Sequence, residues 1–345
     1  MRVLVTGGAG FIGSHTAEHY ARKQDEVIII DNLSREELLG KSIGDPLYNW
    51  NHLSRNYTMR MIKGDIRKPE VVKEVAKNAD LIVHTAAQVA VTTSLTDPVT
   101  DFQVNAMGTL NILEAARQND STVVYCSTNK VYGNNVNRIP VVQDHMRYRF
   151  SNEKYRNGVP EEFPIDLCGH TPYGCSKLAA DLYTQDYGHT YGMKTGVFRM
   201  SCVYGERQFG VEDQGWVAWF TIAVLREKPI TIYGDGMQVR DVLHVSDLVT
   251  VFDLFAMSKF HTEVFNIGGG VLNSISILEL IDLLRSKSRC IPRLSFSGWR
   301  EGDQRVYISD ISKAEARLGW RPRVSIREGI DRVTRWITNS GQAFV

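Results

Sequence analysis

Val3-Leu4-Val5-Thr6-Gly7-Gly8-Ala9-Gly10-Phe11-Ile12-Gly13 opens the chain with a short apolar run, a glycine-rich turn and the start of a helix-length segment. A strand that feeds glycines and then a helix is the first piece of a dinucleotide-binding βαβ unit, and only that context gives the glycines meaning. Gly7 is placed for the tight turn, Gly10 for close approach of the backbone to a pyrophosphate, and Gly13 for packing of the helix against the strand. The helix start presents N–H groups and a partial positive charge to phosphate. The spacing is G-x-x-G-x-x-G.

Working outward, the rhythm repeats. Apolar runs at Arg2–Thr6, Val27–Asp31, Met59–Asp65, Asp80–Ala87, Thr122–Ser127 and Thr195–Ser201 alternate with helix-length segments at Ile12–Lys23, Pro69–Lys77, Gln103–Gln118 and Pro172–Tyr191. This predicts an α/β fold, a Rossmann-type doubly wound parallel sheet. Beyond about residue 200 the pattern mixes helices near Gln214–Arg226, Ser276–Ser286 and Ile326–Thr338 with short strands at Ile230–Tyr233 and Val264–Ile267, which predicts a smaller α+β substrate-binding lobe. The expected division is a dinucleotide-binding domain over 1–200, to which segments at about 235–265 return, and a lobe made mainly of 201–345. The polar segment Asn134–His170 reads as an ordered excursion near the site or a lid.

Composition narrows the classes. Lysine plus arginine (40) balances aspartate plus glutamate (39), so no broad field marks the chain for nucleic acid or an anionic membrane. The N-terminus shows no signal-peptide pattern and no apolar run is long enough to cross a bilayer, which predicts a cytoplasmic protein. Cys126, Cys168, Cys175, Cys202 and Cys290 are odd in number and lack C-x-x-C spacing; reduced thiols and no metal site are expected.

Asp31 ends the second apolar run, at the distance where a carboxylate binds the adenosine ribose and repels a 2′-phosphate, which favours NAD over NADP; Arg35 nearby softens that preference. Asp65 and Ile66 suit the adenine edge, and the turn Thr85-Ala86-Ala87-Gln88 offers small residues where a cofactor must pass. Tyr173 and Lys177 stand one helical turn apart, after Thr128 at the end of the predicted fifth strand. Taking a proton from a carbinol with a phenol of ordinary pKa near 10 requires roughly 4 kcal/mol of preference for phenolate, and a cation at about 5 Å supplies roughly 3 kcal/mol of it. Lys177 and an oxidised nicotinamide are placed to provide this, with Thr128 holding the reacting oxygen.

Glycine turn, Asp31, Thr128, Tyr173 and Lys177 together resemble the extended short-chain dehydrogenase/reductases, the family of nucleotide-sugar epimerases and dehydratases. The blocks Phe198-Arg199, Val203-Tyr204-Gly205, Arg240-Asp241-Val242-Leu243-His244-Val245 and Phe265-Asn266-Ile267-Gly268 extend the likeness over nearly the whole chain. The resemblance implies a tightly held NAD, touched also by Phe11, Ile12, Asn32, Ser34, Asn105 and Ser127. Dehydratases of the family carry an Asp-Glu pair after the threonine; here Asn129 and Lys130 stand there and cannot replace that acid/base pair. The stretches Gln88–Ser94, Ser127–Gly133, Arg207–Phe209 with Asp213–Val217, and Arg300–Val306 resemble the CDP-sugar 2-epimerase branch. That implies inversion at C2 of a CDP-hexose, CDP-paratose or an analogue such as CDP-glucose. Arg240 and Arg300 are expected on the diphosphate and Asp303 on the nucleotide ribose, with Gln88, Thr93, Asn129 and Gln208 on the sugar. A UDP-hexose 4-epimerase using the same triad is the alternative. A non-catalytic NAD-binding regulator fits less well, because Tyr173 and Lys177 are both retained. The two long helices at Gln103–Gln118 and Pro172–Tyr191 are expected to build a homodimer or homotetramer. Trp216, Trp219 and His244 read as structural.

Overall fold

A computed structural model describes residues 1–40, 42, 44–287 and 292–344. The chain forms two compact units: 1–131 with 172–199 and 249–265, and 132–171 with 200–248 and 266–345. The excursion 134–170 thus packs in the second unit, and the returning segment of the first is 249–265.

In the first unit the seven strands are β1 (Arg2–Thr6), β2 (Glu26–Asp31), β3 (Arg60–Lys63), β4 (Leu81–His84), β5 (Thr122–Thr128), β6 (Thr195–Met200) and β7 (Thr262–Ile267), in the spatial order β7-β6-β5-β4-β1-β2-β3. The pairs β1–β2, β1–β4, β2–β3 and β4–β5 are parallel. The order reverses between β1 and β4, which opens the crevice where a dinucleotide lies across the strand ends. The run Val264–Ile267, expected in the lobe, is part of β7 at the edge of this sheet. The central strands are apolar on both sides, because helices cover both faces: Leu4, Ile28, Ile30, Ile82 and Val123 pack with Ile112, Leu113 and Ala116 of a covering helix.

Helix α1 (Phe11–Arg22) follows the glycine turn. The predicted helix at 103–118 is longer and divided. It begins at Pro98–Phe102, widens into a π turn at Gln103–Met107 and continues as α2 (Gly108–Asn119). Helix α3 (Thr171–Tyr191) carries Tyr173 and Lys177. Helices at Tyr48–Asn56 and Val245–Ala256 were not legible as such; the first is polar, with only Asn49 and Leu53 buried.

In the second unit, Val239–His244 pairs in parallel with Cys202–Tyr204 and Val306–Tyr307 and antiparallel with Ser274–Ser276. Helices Trp216–Leu225, Ile277–Lys287 and Ile326–Asn339 share an apolar core with them, including Phe220, Ile232, Leu280 and Val333. The 134–170 excursion contains a hairpin, Val141–Asp144 against Arg147–Phe150.

Candidate active site

At the glycine turn, Gly7 has φ 67°, a left-handed conformation, and a Cβ there would lie 2.8 Å from the Ala86 Cα. A Cβ on Gly13 would lie 2.1 Å from the Gly7 carbonyl and 2.9 Å from the Thr85 hydroxyl. Gly13 therefore presses the start of α1 onto the turn itself, rather than onto the strand. Gly10 caps α1 without a side-chain hydrogen bond, and no acidic residue occupies the first turn. That leaves the helix end suited to phosphate.

Asp31 stands beside this turn. Its Oδ2 accepts from the Ala9 N–H at 3.0 Å and its Oδ1 from the Leu33 N–H at 2.7 Å. Burial raises its pKa, while these N–H groups hold it down. Burial lowers Arg35 to about 10. Asn32 donates to Asp65 at 3.2 Å and accepts from the Ser34 backbone and hydroxyl, so Asn32, Ser34 and Asp65 are knitted together. Arg67 grips Asp65 at 2.7 Å and holds it at about 2. Ile66 is buried, and its carbonyl accepts from Asn111.

Thr128, Tyr173 and Lys177 also stand in the first unit. Thr128, the last residue of β5, hydrogen-bonds Tyr173 of α3, and both are buried. Lys177 Nζ donates to the Cys126 carbonyl at 2.7 Å and lies 4.3 Å from the centre of the Tyr125 ring. Burial lifts Tyr173 to about 12, against the lowering effect of Thr128, and lowers Lys177 to about 8. The expected division of labour changes accordingly: within the chain Thr128, not Lys177, most favours the phenolate, because Nζ is turned to the Cys126 carbonyl. The Thr128 hydroxyl also reaches Asn129 Oδ1 at 3.4 Å, and its oxygen accepts from the Lys130 N–H at 3.3 Å.

Three expected contact residues have partners within the chain. The Ser127 hydroxyl donates to buried Asp181 at 2.6 Å and points into the core. Gln88, expected on cofactor and sugar, is buried; its amide donates to the Ala90 carbonyl at 2.9 Å and Asp101 at 3.0 Å, and its oxygen accepts from the Ala90 N–H. Asn105 clamps the Gln88 backbone, accepting from its N–H at 2.9 Å and donating to its carbonyl at 3.1 Å. These two side chains shape the turn at residues 85–88. Thr85 donates to the Thr6 carbonyl at 2.6 Å and the Ala86 N–H to the Thr6 hydroxyl at 3.2 Å, which pins the same turn to β1. Ala87, beside Gln88, is partly exposed, as is Thr93 in the short helix Val91–Thr96.

Several supporting residues were missed. Ser94 accepts from the Tyr173 N–H at 3.1 Å and so caps the start of α3. Asp101 accepts from Ser176, the neighbour of Lys177, at 2.5 Å. Asp181, one turn beyond Lys177, pairs with Arg199 of β6 at 3.0 and 3.1 Å. A signal existed for one set: Asp101, Asn105 and Thr109 recur every four residues, a polar row on a face that a helix would bury.

In the second unit, Arg240 lies 3.9 Å from Asp303, and Arg300 is held by Asp213 at 3.1 Å, the Glu212 carbonyl at 3.2 Å and the Tyr233 ring at 3.7 Å. Gln208 is buried and donates to the Val203 carbonyl at 3.2 Å. His244 is bonded to Ser246 at 2.8 Å and Glu206 at 3.0 Å, and Trp216 packs on Phe220 in the core. Cys290 lies outside the described residues; the other four cysteines form no disulfide among the described residues. Among the described residues no helix is long and apolar enough to cross a membrane.

A doubly wound sheet with a phosphate-ready glycine turn, a buried carboxylate beside it and a Thr-Tyr-Lys set at its strand ends defines an NAD-dependent enzyme of the extended short-chain dehydrogenase/reductase class. The model of the NAD dependent epimerase/dehydratase family matches residues 3–268, and the chain belongs to that family. CDP-paratose 2-epimerase of Salmonella typhi is 41% identical, covering 98% of this chain and 100% of that protein. A putative UDP-glucose 4-epimerase of Methanocaldococcus jannaschii is 33% identical over 99% of both. Among solved structures, the UDP-glucose 4-epimerase of Thermotoga maritima with UDP-glucose superposes with a TM-score of 0.82 at 31% identity, covering 99% of each chain. That of Thermus thermophilus, in complex with NAD, gives 0.79 at 31% identity, covering 99% of this chain and 100% of that one. The protein is thus an NAD-dependent enzyme of the nucleotide-sugar epimerase kind, and the residues around its glycine turn fit that cofactor.

Proposed function

We propose that the protein inverts C2 of a CDP-hexose, CDP-paratose or a close analogue, through transient oxidation of the sugar. The observation that carries the reading is Thr128 bonded to Tyr173 with Lys177 one turn on, followed by Asn129 and Lys130 where elimination of water would need two carboxyl groups. The 41% identity to a CDP-paratose 2-epimerase supports C2 and cytosine. UDP-hexose 4-epimerisation is the second reading, favoured by the similarity to UDP-glucose 4-epimerases.

NAD, when bound, takes up the hydride from the sugar carbon and gives it back. Thr128 orients the reacting hydroxyl and Tyr173 accepts its proton, so that loss of hydride and proton leaves a 2-keto sugar. Lys177, as an ammonium, favours the deprotonated phenol. Arg240 and Arg300 grip the diphosphate and Asp303 the nucleotide ribose, which frees the sugar to turn before Tyr173 returns the proton. Asp31 excludes a 2′-phosphate. Asn129, Thr93 and Gln208 are assigned to the sugar, and Phe11, Ile12, Asn32, Ser34, Asp65 and Ile66 to the cofactor. Exposed Val99 (64%), Phe102 (49%), Leu182 (46%) and Tyr183 (50%) lie on the two long helical segments and support a homo-oligomer built through them.

Incubation with CDP-paratose, CDP-glucose and UDP-glucose in heavy water, followed by NMR, tests the reading. Inversion at C2 of a CDP-sugar without deuterium uptake is expected. Deuterium at C2 overturns the hydride route, and inversion of UDP-glucose at C4 alone selects the second reading.

A further inference from the structure

Lys177 is a buried cation whose direct contacts are neutral: the Cys126 carbonyl accepts from Nζ, and the Tyr125 ring lies against it. A buried charge held this way depends on compensation from slightly further off. The titratable groups around it come from several elements. On β4, His84 is neutral, pushed down to about 3 by burial and by Lys177. On β5, burial keeps the Cys126 thiol protonated at about 12 and raises Tyr125 well above its ordinary value. On α3 itself stand Tyr173 and Asp181, and on Pro98–Phe102 stands Asp101.

The two carboxylates are not equivalent. Asp181 is neutralised by its paired hydrogen bonds from Arg199. Asp101 is fully buried, and among the described residues every hydrogen bond its carboxylate accepts comes from a neutral donor: Ser176 Oγ at 2.5 Å on one oxygen, Asn105 Nδ2 at 3.1 Å and Gln88 Nε2 at 3.0 Å on the other. Burial raises its carboxyl, while the Ser176 hydroxyl and the Lys177 ammonium hold it down, and no cation hydrogen-bonds it among the described residues.

We propose that Asp101 is a positioning residue, the buried counter-charge that keeps Lys177 an ammonium while its bond to Ser176 ties α3 to the π turn. The consequence for turnover rests on the assignment of Tyr173 and Lys177 above; the electrostatic claim does not. The π turn fits this role, because such turns sit where a helix must re-aim side chains, and here it presents Asn105 to both Asp101 and Ser176.

The test is an NMR titration of carbon-labelled lysine in the NAD-loaded protein, with Lys177→Met assigning the resonance. Asp101→Asn keeps an oxygen for Gln88 and Asn105 and offers Ser176 an amide, so the packing survives while the charge is lost. It is expected to lower the Lys177 midpoint by about one pH unit, and Asp101→Glu to restore it. Ser176→Ala, which removes a neutral link but leaves the charge, is expected to move it little. Turnover, which requires the ammonium, then falls at lower pH in Asp101→Asn than in the wild type. An unchanged midpoint in Asp101→Asn, or an equal shift in Ser176→Ala, overturns the proposal. If Asp101→Asn does not fold, the labelled carboxyl of Asp101 in the wild type decides: an ionised group at neutral pH supports the idea and a protonated one ends it. Absence of epimerisation in the wild type counts against the proposed reaction and leaves the Lys177 midpoints readable.

Discussion

Replacing Thr128 with valine removes one hydroxyl and preserves the shape at the end of β5. In the folded protein that hydroxyl lowers the pKa of Tyr173, against burial that lifts it to about 12. A hydrogen bond to a charged group is worth about 1.5–3 kcal/mol, and all of it is lost when the Tyr173 phenolate must form without that donor. The chemical step should therefore slow by roughly tenfold to 150-fold. The sign of the pH effect follows from the same bond. The active form has Tyr173 deprotonated; its pKa rises without Thr128; the acidic limb of the rate profile moves to higher pH. Single-turnover conversion of the CDP-sugar followed by NMR across the pH range measures both, and Thr128→Ser, which keeps the hydroxyl, should retain most of the rate. A Thr128→Val enzyme within twofold of the wild type, with an unmoved acidic limb, would show that the hydroxyl does not act on Tyr173.

Two further outcomes are expected. Arg199→Met leaves Asp181 buried with Ser127 and Gln185 as its remaining donors, which should cost about 3–5 kcal/mol in urea unfolding, and Arg199→Met with Asp181→Leu should cost less; additive losses would contradict a coupled pair. Phe102→Asp with Leu182→Asp places charge on the exposed apolar faces of the two long helical segments and should yield monomers in sedimentation analysis, whereas unchanged assemblies would place the interface elsewhere.

The doubly wound sheet, the glycine turn, Asp31 and the Thr128-Tyr173-Lys177 set were legible in the amino-acid order, because each is written locally. Strand period, glycine at a positive φ and a four-residue helical spacing are all set by neighbours in the chain. The fates of Ser127, Gln88 and Asn105 were not. Each is polar, next to the crevice and chemically able to touch a ligand. Only the folded packing shows that Ser127 is needed by Asp181, 54 residues away in sequence, and that Gln88 and Asn105 need each other. Buried polar atoms take partners that no local pattern announces, since leaving one unmet costs about 1–3 kcal/mol. For the same reason the counter-charge of Lys177 could be found only in three dimensions: Asp101 lies 76 residues before it, and its meaning depends on Asp181 being already neutralised by Arg199.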